Sequence, residues 1–378
     1  MFDRWAIMTA AWLLAGGALA ASTTEGVTDS SIRIGQTIGV TGPVAAFVKE
    51  LNEGANAYIV SANKQGGVHG RKIELRILDD KFSPQLAAAN AGELIKRDHV
   101  FALFQSRGTP QTEAILPILA ENHVPLVAPS TGASILHAPV NHWVFNVRAK
   151  YQDEVIKAIE HFTTIGITNI GLLSYTDDVF GLDGLEGFNK GMAAHHLKPA
   201  ILSTFSRVKP DIAATVATLA KANPKALIIV SSGTNTVDVI KAIRAQGSKM
   251  QIMTLSNNSS QSFIKDLGAA GAGVIVSQIT PPPHLVSSIL GQEFQLAAKA
   301  TGATVSYAAM EGFVSAKVLV EGLRLAGRNL THETFVAALE SMKRLDLGGL
   351  MVNYGKDNHS GSAFVEMTMI GKDGRFVR

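Results

Sequence analysis

Short apolar segments alternate with longer amphipathic ones along most of the chain. Residues 32–38 and 73–78 are short and rich in Ile and Leu, and the segment between them places apolar residues at helical spacing. The alternation continues through two apolar runs, 100–104 and 226–230, that have the length of buried strands. Strands that alternate with helices form βαβ units, and such units build parallel sheets. The pattern therefore predicts an α/β fold.

The alternation breaks near Arg148, within residues 280–283 and around residues 352–356. Three breaks predict two doubly wound lobes joined by three hinge crossovers, with a ligand cleft between the lobes. The alternative is a single large sheet, which would need more strands than one sheet usually holds. The predicted boundaries are residues 21–147 with 280–352 for the first lobe and residues 148–279 with 353–378 for the second.

The last third of the chain continues the pattern with a different ending. Apolar spacing predicts a helix over residues 285–300. Residues 361–377 favour two strands around the turn Lys372-Asp373-Gly374. We expect this strand pair to close one of the two sheets.

The first 20 residues have the features of an export signal. Arg4 precedes a short apolar run over residues 6–15, and small residues at 18–21 form a cleavage pattern. A membrane anchor is the alternative, but the run is shorter than the roughly 20 residues that cross a bilayer. No Cys follows the run, which excludes a lipoprotein anchor. We expect cleavage near Ala20 and a periplasmic mature protein.

Composition narrows the classes of function. The chain has 378 residues, 46% of them hydrophobic, which suffices for two cores. A net charge of +3, spread over scattered Lys and Arg, gives no sign of nucleic-acid binding. The absence of Cys excludes disulfides and thiolate metal sites. Phosphate-loop, nucleophile-elbow and zinc-protease motifs are missing, so we expect no enzyme activity, cofactor or metal.

A Gly-Pro turn follows the first predicted strand. Thr41-Gly42-Pro43 comes directly before a helical pattern, and the first backbone N–H groups of a helix have no partner within it. Such N–H groups can bind a carboxylate or another anion. The turn therefore indicates a ligand site at this end of the sheet.

Several motifs together resemble a known family. They are Thr41-Gly42-Pro43, Gly66-Gly67-Val68-His69-Gly70, Asp79-Asp80 with Pro84, Pro129-Ser130-Thr131-Gly132 and Val144-Phe145-Asn146-Val147-Arg148. In their order and spacing they resemble the leucine/isoleucine/valine-binding proteins of ABC importers, which are type I periplasmic binding proteins. The resemblance covers essentially the whole mature chain. It implies two α/β lobes, a ligand between them and permease subunits as partners.

The resemblance also implies which residues bind the ligand. Small hydroxyl side chains and backbone N–H groups would hold its carboxylate, and aromatic residues would line its other faces. The implied positions are Phe47, Thr109, Ser130, Thr131, Gly132, Phe180, Ser232, Ser256 and Tyr307. Thr109 could instead only cap its helix, and the three aromatic residues could belong to the core.

Ser256 departs from the family pattern. The amino-acid binders carry an acidic residue near this position that pairs with the ligand ammonium, and a buried ammonium without a counter-charge is costly. Asp177 or Asp178 could supply that charge from a nearby loop. Arg107 could add a second contact to a carboxylate or lie solvated at the rim. We therefore expect a small carboxylate ligand, either like a branched-chain amino acid or an aromatic or aliphatic acid without the ammonium.

Two roles fit these expectations. The first is a monomeric binding protein that delivers its ligand to an ABC importer. The alternative is a ligand-sensing module of the same architecture that reports to a signalling partner. An enzyme is a distant third, because no nucleophile–base pair or metal set can be assembled from the sequence.

Overall fold

The computed structural model describes residues 24–176 and 178–378. The predicted export signal and Asp177 lie outside these residues. Eleven α-helices and two main sheets occur in the described part of the chain. The helices are α1 Ala45–Lys64, α2 Pro84–Lys96, α3 Thr109–Asn122, α4 Tyr151–Thr164, α5 Val179–Ala194, α6 Ile212–Ala222, α7 Thr234–Ala245, α8 Gln261–Leu267, α9 Ile289–Thr301, α10 Tyr307–Ala326 and α11 His332–Glu340.

The first sheet has five parallel strands. They are β1 Ser31–Ile38, β2 Lys72–Asp79, β3 Ala102–Phe104, β4 Leu126–Val127 and β5 Val144–Phe145. Their order across the sheet is β2-β1-β3-β4-β5, with Ser31 opposite Lys72 and Leu103 opposite Leu126. The βαβ units predicted from the apolar segments are confirmed.

The second sheet has seven strands. They are β6 Ile170–Tyr175, β7 Ile201–Phe205, β8 Ala226–Val230, β9 Gln251–Thr254, β10 Ile275–Gln278, β13 Glu366–Ile370 and β14 Phe376–Val377. Their order is β14-β13-β10-β9-β8-β6-β7, and only β13 runs opposite to the other strands, pairing antiparallel with both β10 and β14. Two short strands, β11 Leu345–Asp346 and β12 Met351–Val352, precede β13 in the chain and form a separate antiparallel pair.

The chain passes between the two sheets three times. It leaves the first sheet after β5 and returns after β10 to α9, α10 and α11, which pack into the first hydrophobic core. It then crosses again to β13. The two-lobed α/β architecture is thus confirmed, while the exact lobe boundaries remain predictions.

The third passage explains one wrong strand prediction. The expected strand at residue 361 begins only at Glu366, because residues 359–361 first pair with Asn146 beside β5. The N–H of Asn146 donates to the carbonyl of His359 at 2.8 Å, and the N–H of Gly361 donates to the carbonyl of Asn146 at 2.7 Å. The expected helix at 285 likewise begins at Ile289, where Ser288 caps it.

Helix α1 is held close to α10 by two glycines. A Cβ at Gly54 would lie 1.7 Å from the carbonyl oxygen of Ala309, and one at Gly312 would lie 1.9 Å from that of Leu51. Only glycine allows the two backbones to approach this closely. The packing fixes the position of Phe47 at the start of α1.

None of the described helices is long and apolar enough to cross a membrane.

Candidate functional site

The segments that follow the strands of the two sheets meet between the lobes. Arg107 follows β3 and bonds Asn257, which follows β9. Phe82 follows β2, and the guanidinium of Arg207, after β7, lies 5.4 Å from its ring centroid. Open α/β sheets generally bind ligands at the carboxyl ends of their strands. The meeting of these ends identifies the candidate site.

Arg107 lies at the centre of this region. It is only 2% exposed, so the sequence alternative of a solvated rim residue is wrong. Its guanidinium lies 3.8 Å from the centroid of the Phe47 ring. One Nη donates to the Ser130 hydroxyl at 3.1 Å and the other to the Asn257 carbonyl at 3.0 Å. Its Nε is buried without a partner in the described part of the chain.

The charge of Arg107 is not neutralised by an ion pair within the described residues. Burial lowers the pKa of its guanidinium to about 10, against the opposing influence of Tyr151 and Glu311. The neighbouring cations Arg148 and Arg207 lower the pKa further. A bound anion would favour the charged guanidinium. The local electrostatics therefore suit a negatively charged ligand.

The predicted hydroxyl cluster is assembled around Arg107. The hydroxyls of Thr109 and Thr131 are hydrogen-bonded at 2.8 Å, and both side chains are buried. The Ser130 hydroxyl donates to Glu311 at 2.9 Å. Thr109 does not act as the cap of α3, since Gly108 holds the cap position without a side-chain bond. The structure thus brings together Phe47, Thr109, Ser130 and Thr131.

The backbone at Gly132 lies close to the backbone of the first crossover between the lobes. Its carbonyl accepts the N–H of Tyr151 at 2.8 Å, at the start of α4. A Cβ at this position would lie 2.6 Å from the carbonyl oxygen of Ala149. A glycine is required here because the backbone of the crossover packs directly against the turn.

Ser256 belongs to a buried ionic network. Arg148 donates to the Ser256 hydroxyl at 2.7 Å and to Glu154 at 2.6 Å. Glu154 also accepts the N–H and hydroxyl of Ser256 at 2.9 and 3.0 Å, and the Ser277 hydroxyl at 2.5 Å. At the position where the family carries an acid, the Ser256 side chain is thus hydrogen-bonded to Arg148 and Glu154. Glu154 is fully buried and has donors on both oxygens.

The second lobe contributes an arginine and several aromatic rings. Arg207 donates to Asp178 at 2.5 Å and lies 4.4 Å from the centroid of the Tyr175 ring. The other oxygen of Asp178 accepts the N–H groups of Phe180 and Gly181 and caps α5. Asp178 is therefore paired within its own lobe. The Nη2 of Arg207 is buried without a partner among the described residues.

Two predicted residues of the second lobe lie beside this arginine. The Phe180 ring packs 4.7 Å from that of Tyr151, measured between centroids. The backbone of Ser232 holds the Tyr175 hydroxyl, donating to it at 3.1 Å and accepting from it at 3.2 Å. The contacts of Ser232 thus position Tyr175.

Tyr307 lies apart from these residues. Its ring packs edge-on against Phe376, with 5.5 Å between the centroids. With Pro282, Pro283 and Arg378 it lines a separate pocket of about 680 Å³. The structure does not bring Tyr307 together with the other predicted ligand residues.

The Gly-Pro turn after β1 lies against the opposite lobe. Asp79 accepts the N–H and the hydroxyl of Thr41 at 3.2 and 2.6 Å. A Cβ on Gly233 of the second lobe would lie 2.1 Å from the carbonyl oxygen of Pro43. The turn is therefore part of the contact between the lobes in this closed arrangement.

Sequence reasoning missed four residues of the candidate site, Tyr151, Tyr175, Arg207 and Glu311. Arg207 lies two residues beyond β7, so the rule for carboxyl ends of strands could have identified it. Tyr151 and Glu311 belong to helices, where no spacing signal marks them. Their role depends on the tertiary packing of α4 and α10.

Comparisons with known proteins agree with this architecture. A leucine/isoleucine/valine-binding protein homologue from Brucella melitensis is 32% identical over 104 residues, which is 27% of this chain and 27% of the relative. A substrate-binding periplasmic protein from Ralstonia solanacearum is 30% identical, with a TM-score of 0.86 over 92% of this chain and 99% of that one. A fatty acid ABC transporter substrate-binding protein from Thermomonospora curvata shares the fold at 20% identity, with a TM-score of 0.85 over 94% and 93% of the two chains.

The family assignment covers nearly the whole chain. The periplasmic binding protein family matches residues 31–375. This range includes every strand of both sheets except β14, and all three passages between the sheets. The chain therefore belongs to the periplasmic binding protein family, in the branch that resembles the leucine/isoleucine/valine-binding proteins.

Proposed function

We propose that this chain is the periplasmic substrate-binding component of an ABC importer and that it captures a small carboxylate without an α-ammonium group. Arg107 carries the proposal. It is a buried guanidinium with a free Nε and no ion pair within the described residues, beside the face of Phe47. A carboxylate at this place would gain charge-assisted hydrogen bonds.

The surrounding hydroxyls support the same ligand chemistry. Thr109 and Thr131 share one hydrogen bond, so one of these two hydroxyls remains able to donate to a carboxylate oxygen, whereas Ser130 accepts from Arg107 and donates to Glu311. Phe47, Phe180 and Tyr175 offer apolar faces around the group. An aromatic or branched aliphatic acid fits both features, because it has a carboxylate for the donors and an apolar side chain for the rings.

The acids of the site argue against an ammonium. Glu154 already has donors on both oxygens, and Asp178 pairs with Arg207 and caps a helix. Glu311 accepts from Ser130 through Oε1, and its Oε2 has no partner among the described residues, but with Thr280 it lines a cavity of only about 10 Å³, which has room for about one water. The contacts of Asp178 therefore do not support it as the partner of a ligand ammonium in place of the acid missing at position 256.

Transport requires binding and release without chemical change. The bound compound should therefore be recovered intact by mass spectrometry after the purified protein is denatured. Recovery of a conversion product from a supplied acid would contradict a pure binding role. Stimulation of the importer's ATP hydrolysis by the loaded protein would support transport rather than sensing.

Closure of the lobes on the ligand can be measured in solution. We expect 4-methyl-2-oxopentanoate or phenylpyruvate, at saturating concentration, to reduce the radius of gyration in X-ray scattering. An acid at a hundredfold excess over its dissociation constant should also stabilise the fold by about 2.7 kcal/mol. An unchanged radius with a bound acid would contradict the closing mechanism.

A further inference from the structure

Glu50 makes a contact between the lobes outside the ligand group. It lies on α1 of the first lobe, one helical turn after Phe47, and is 4% exposed. One carboxylate oxygen accepts the N–H of Gln261 at 2.9 Å. The other accepts the N–H and the hydroxyl of Ser262 at 2.8 and 2.7 Å. Both partners belong to α8 of the second lobe.

These contacts satisfy groups that α8 cannot satisfy by itself. The first N–H groups of a helix lack partners within it. Ser260 caps α8 by accepting the N–H of Phe263, and the N–H groups of Gln261 and Ser262 are left for Glu50. A carboxylate is also favoured at the positive end of a helix. The cap of α8 is therefore completed by a residue from the opposite lobe.

We propose that Glu50 is a closure latch that sets the balance between open and closed lobes without touching the ligand. The inference rests on the proposed closing of the lobes. Opening would return Glu50 and the N–H groups of α8 to water, whereas closing joins them through three charge-assisted hydrogen bonds. Apparent affinity scales with the fraction of binding-competent protein, so the latch should tune affinity from outside the site.

The absence of Cys in the chain allows a direct measurement of the distance between the lobes. Spin labels on cysteines introduced at Ala89 and Lys241, both exposed and on opposite lobes, report this distance by pulsed electron resonance. Glu50→Gln should shift the unliganded protein toward longer distances. It should also weaken binding of 4-methyl-2-oxopentanoate about tenfold, mainly through faster dissociation. Ser262→Ala removes one of the three contacts and should give a smaller shift in the same direction.

Glu53→Gln is the matched control. Glu53 lies on the same helix and accepts the N–H of Thr304 within its own lobe, so this change should leave the distances unchanged. Distances and affinity in Glu50→Gln equal to those of the unsubstituted protein would overturn the latch. If the acid fails to bind, the proposed ligand class is wrong, and the unliganded distances still decide the role of Glu50. If the acid binds without shortening the distance in the unsubstituted protein, the closing mechanism itself fails.

Discussion

At the scale of single residues, one uncompensated charge defines the candidate site. Arg107 donates to Ser130 and to Asn257 of the other lobe, and its Nε has no partner among the described residues. The neighbouring Arg148 is different, because Glu154 and Glu311 flank it. An anion is therefore expected to bind beside Arg107.

Replacement of Arg107 tests this expectation. Arg107→Met keeps much of the side-chain volume and removes the charge. Hydrogen bonds to charged groups contribute about 1.5–3 kcal/mol, so calorimetry should show affinity for phenylpyruvate falling roughly tenfold to a hundredfold. Arg97→Met, at an exposed arginine of the same lobe, should have no effect. If Arg107→Met still prefers the acid over its amide as strongly as the unsubstituted protein does, another group binds the carboxylate.

Asp80 gives a prediction about pH. A carboxylate at the end of a strand is ordinarily solvated, but the side chain of Asp80 is fully buried. Burial raises its pKa to about 6 from 3.8, although the Phe82 N–H and the Thr37 hydroxyl donate to it. The folded state thus binds the proton more tightly than the unfolded state, and the stability from Asp80 falls as pH rises from about 4 to about 6.

Asp80→Asn should remove this dependence. Urea unfolding between pH 4 and pH 7 should show the variant gaining stability relative to the unsubstituted protein by up to about 3 kcal/mol. A constant difference in unfolding free energy across that range would mean that Asp80 titrates normally.

At this scale the sequence indicated which residues belong to the site better than it indicated their hydrogen-bond partners. Thr109, Ser130, Thr131 and Phe47 were expected together and lie together. The pairing of Ser256 with Glu154 and Arg148 could not be foreseen, because it joins segments about 100 residues apart. The separate position of Tyr307 likewise depends on the C-terminal strand pair that packs against it.

At the scale of elements, the strand-to-helix turns determine how closely the lobes approach. Gly233 begins α7 with φ +61° and ψ −138°, a conformation that favours glycine. A side chain there would meet the carbonyl of Pro43 in the opposite lobe. The turn of one lobe therefore fits the turn of the other only because this residue has no Cβ.

Gly233→Ala should prevent full closure. Gly268 offers a matched control, since its φ of +56° and ψ of −135° are nearly the same and no atom lies within 4 Å of its Cβ position. Both changes should cost about 1–3 kcal/mol of stability through backbone strain. Only Gly233→Ala should weaken binding of 4-methyl-2-oxopentanoate and abolish the compaction seen by scattering. Equal effects of the two substitutions on binding would show that strain, rather than contact between lobes, is responsible.

The elements themselves were largely predictable, because their apolar periods are regular. The buried runs at 100–104 and 226–230 became β3 and β8. The errors fall where tertiary contacts override local pattern. The strand expected from residue 361 begins only at Glu366, because residues 359–362 pair with residues 146 and 147 at the hinge.

At the scale of the whole molecule, the two lobes carry separate cores and meet through polar contacts. The first core combines β1–β5 with α9, α10 and α11, and the second contains β6–β10. The lobe contacts described above include Glu50 with α8 and Arg107 with Asn257. Interfaces of this kind between lobes favour relative motion. The fold could be predicted from the three breaks in the pattern, whereas the ligand depends on side chains that only the closed arrangement brings together.

Calorimetry with leucine and its keto analogue tests the central claim most directly. The two ligands share a side chain and a carboxylate and differ at the α-position, and neither Glu154 nor Asp178, whose oxygens are all hydrogen-bonded within the protein, is free to pair with an ammonium there. We predict that 4-methyl-2-oxopentanoate binds at least about tenfold more tightly than leucine, since an unpaired ammonium forfeits a charge-assisted hydrogen bond. Tighter binding of leucine than of every acid that lacks the amino group would contradict the account.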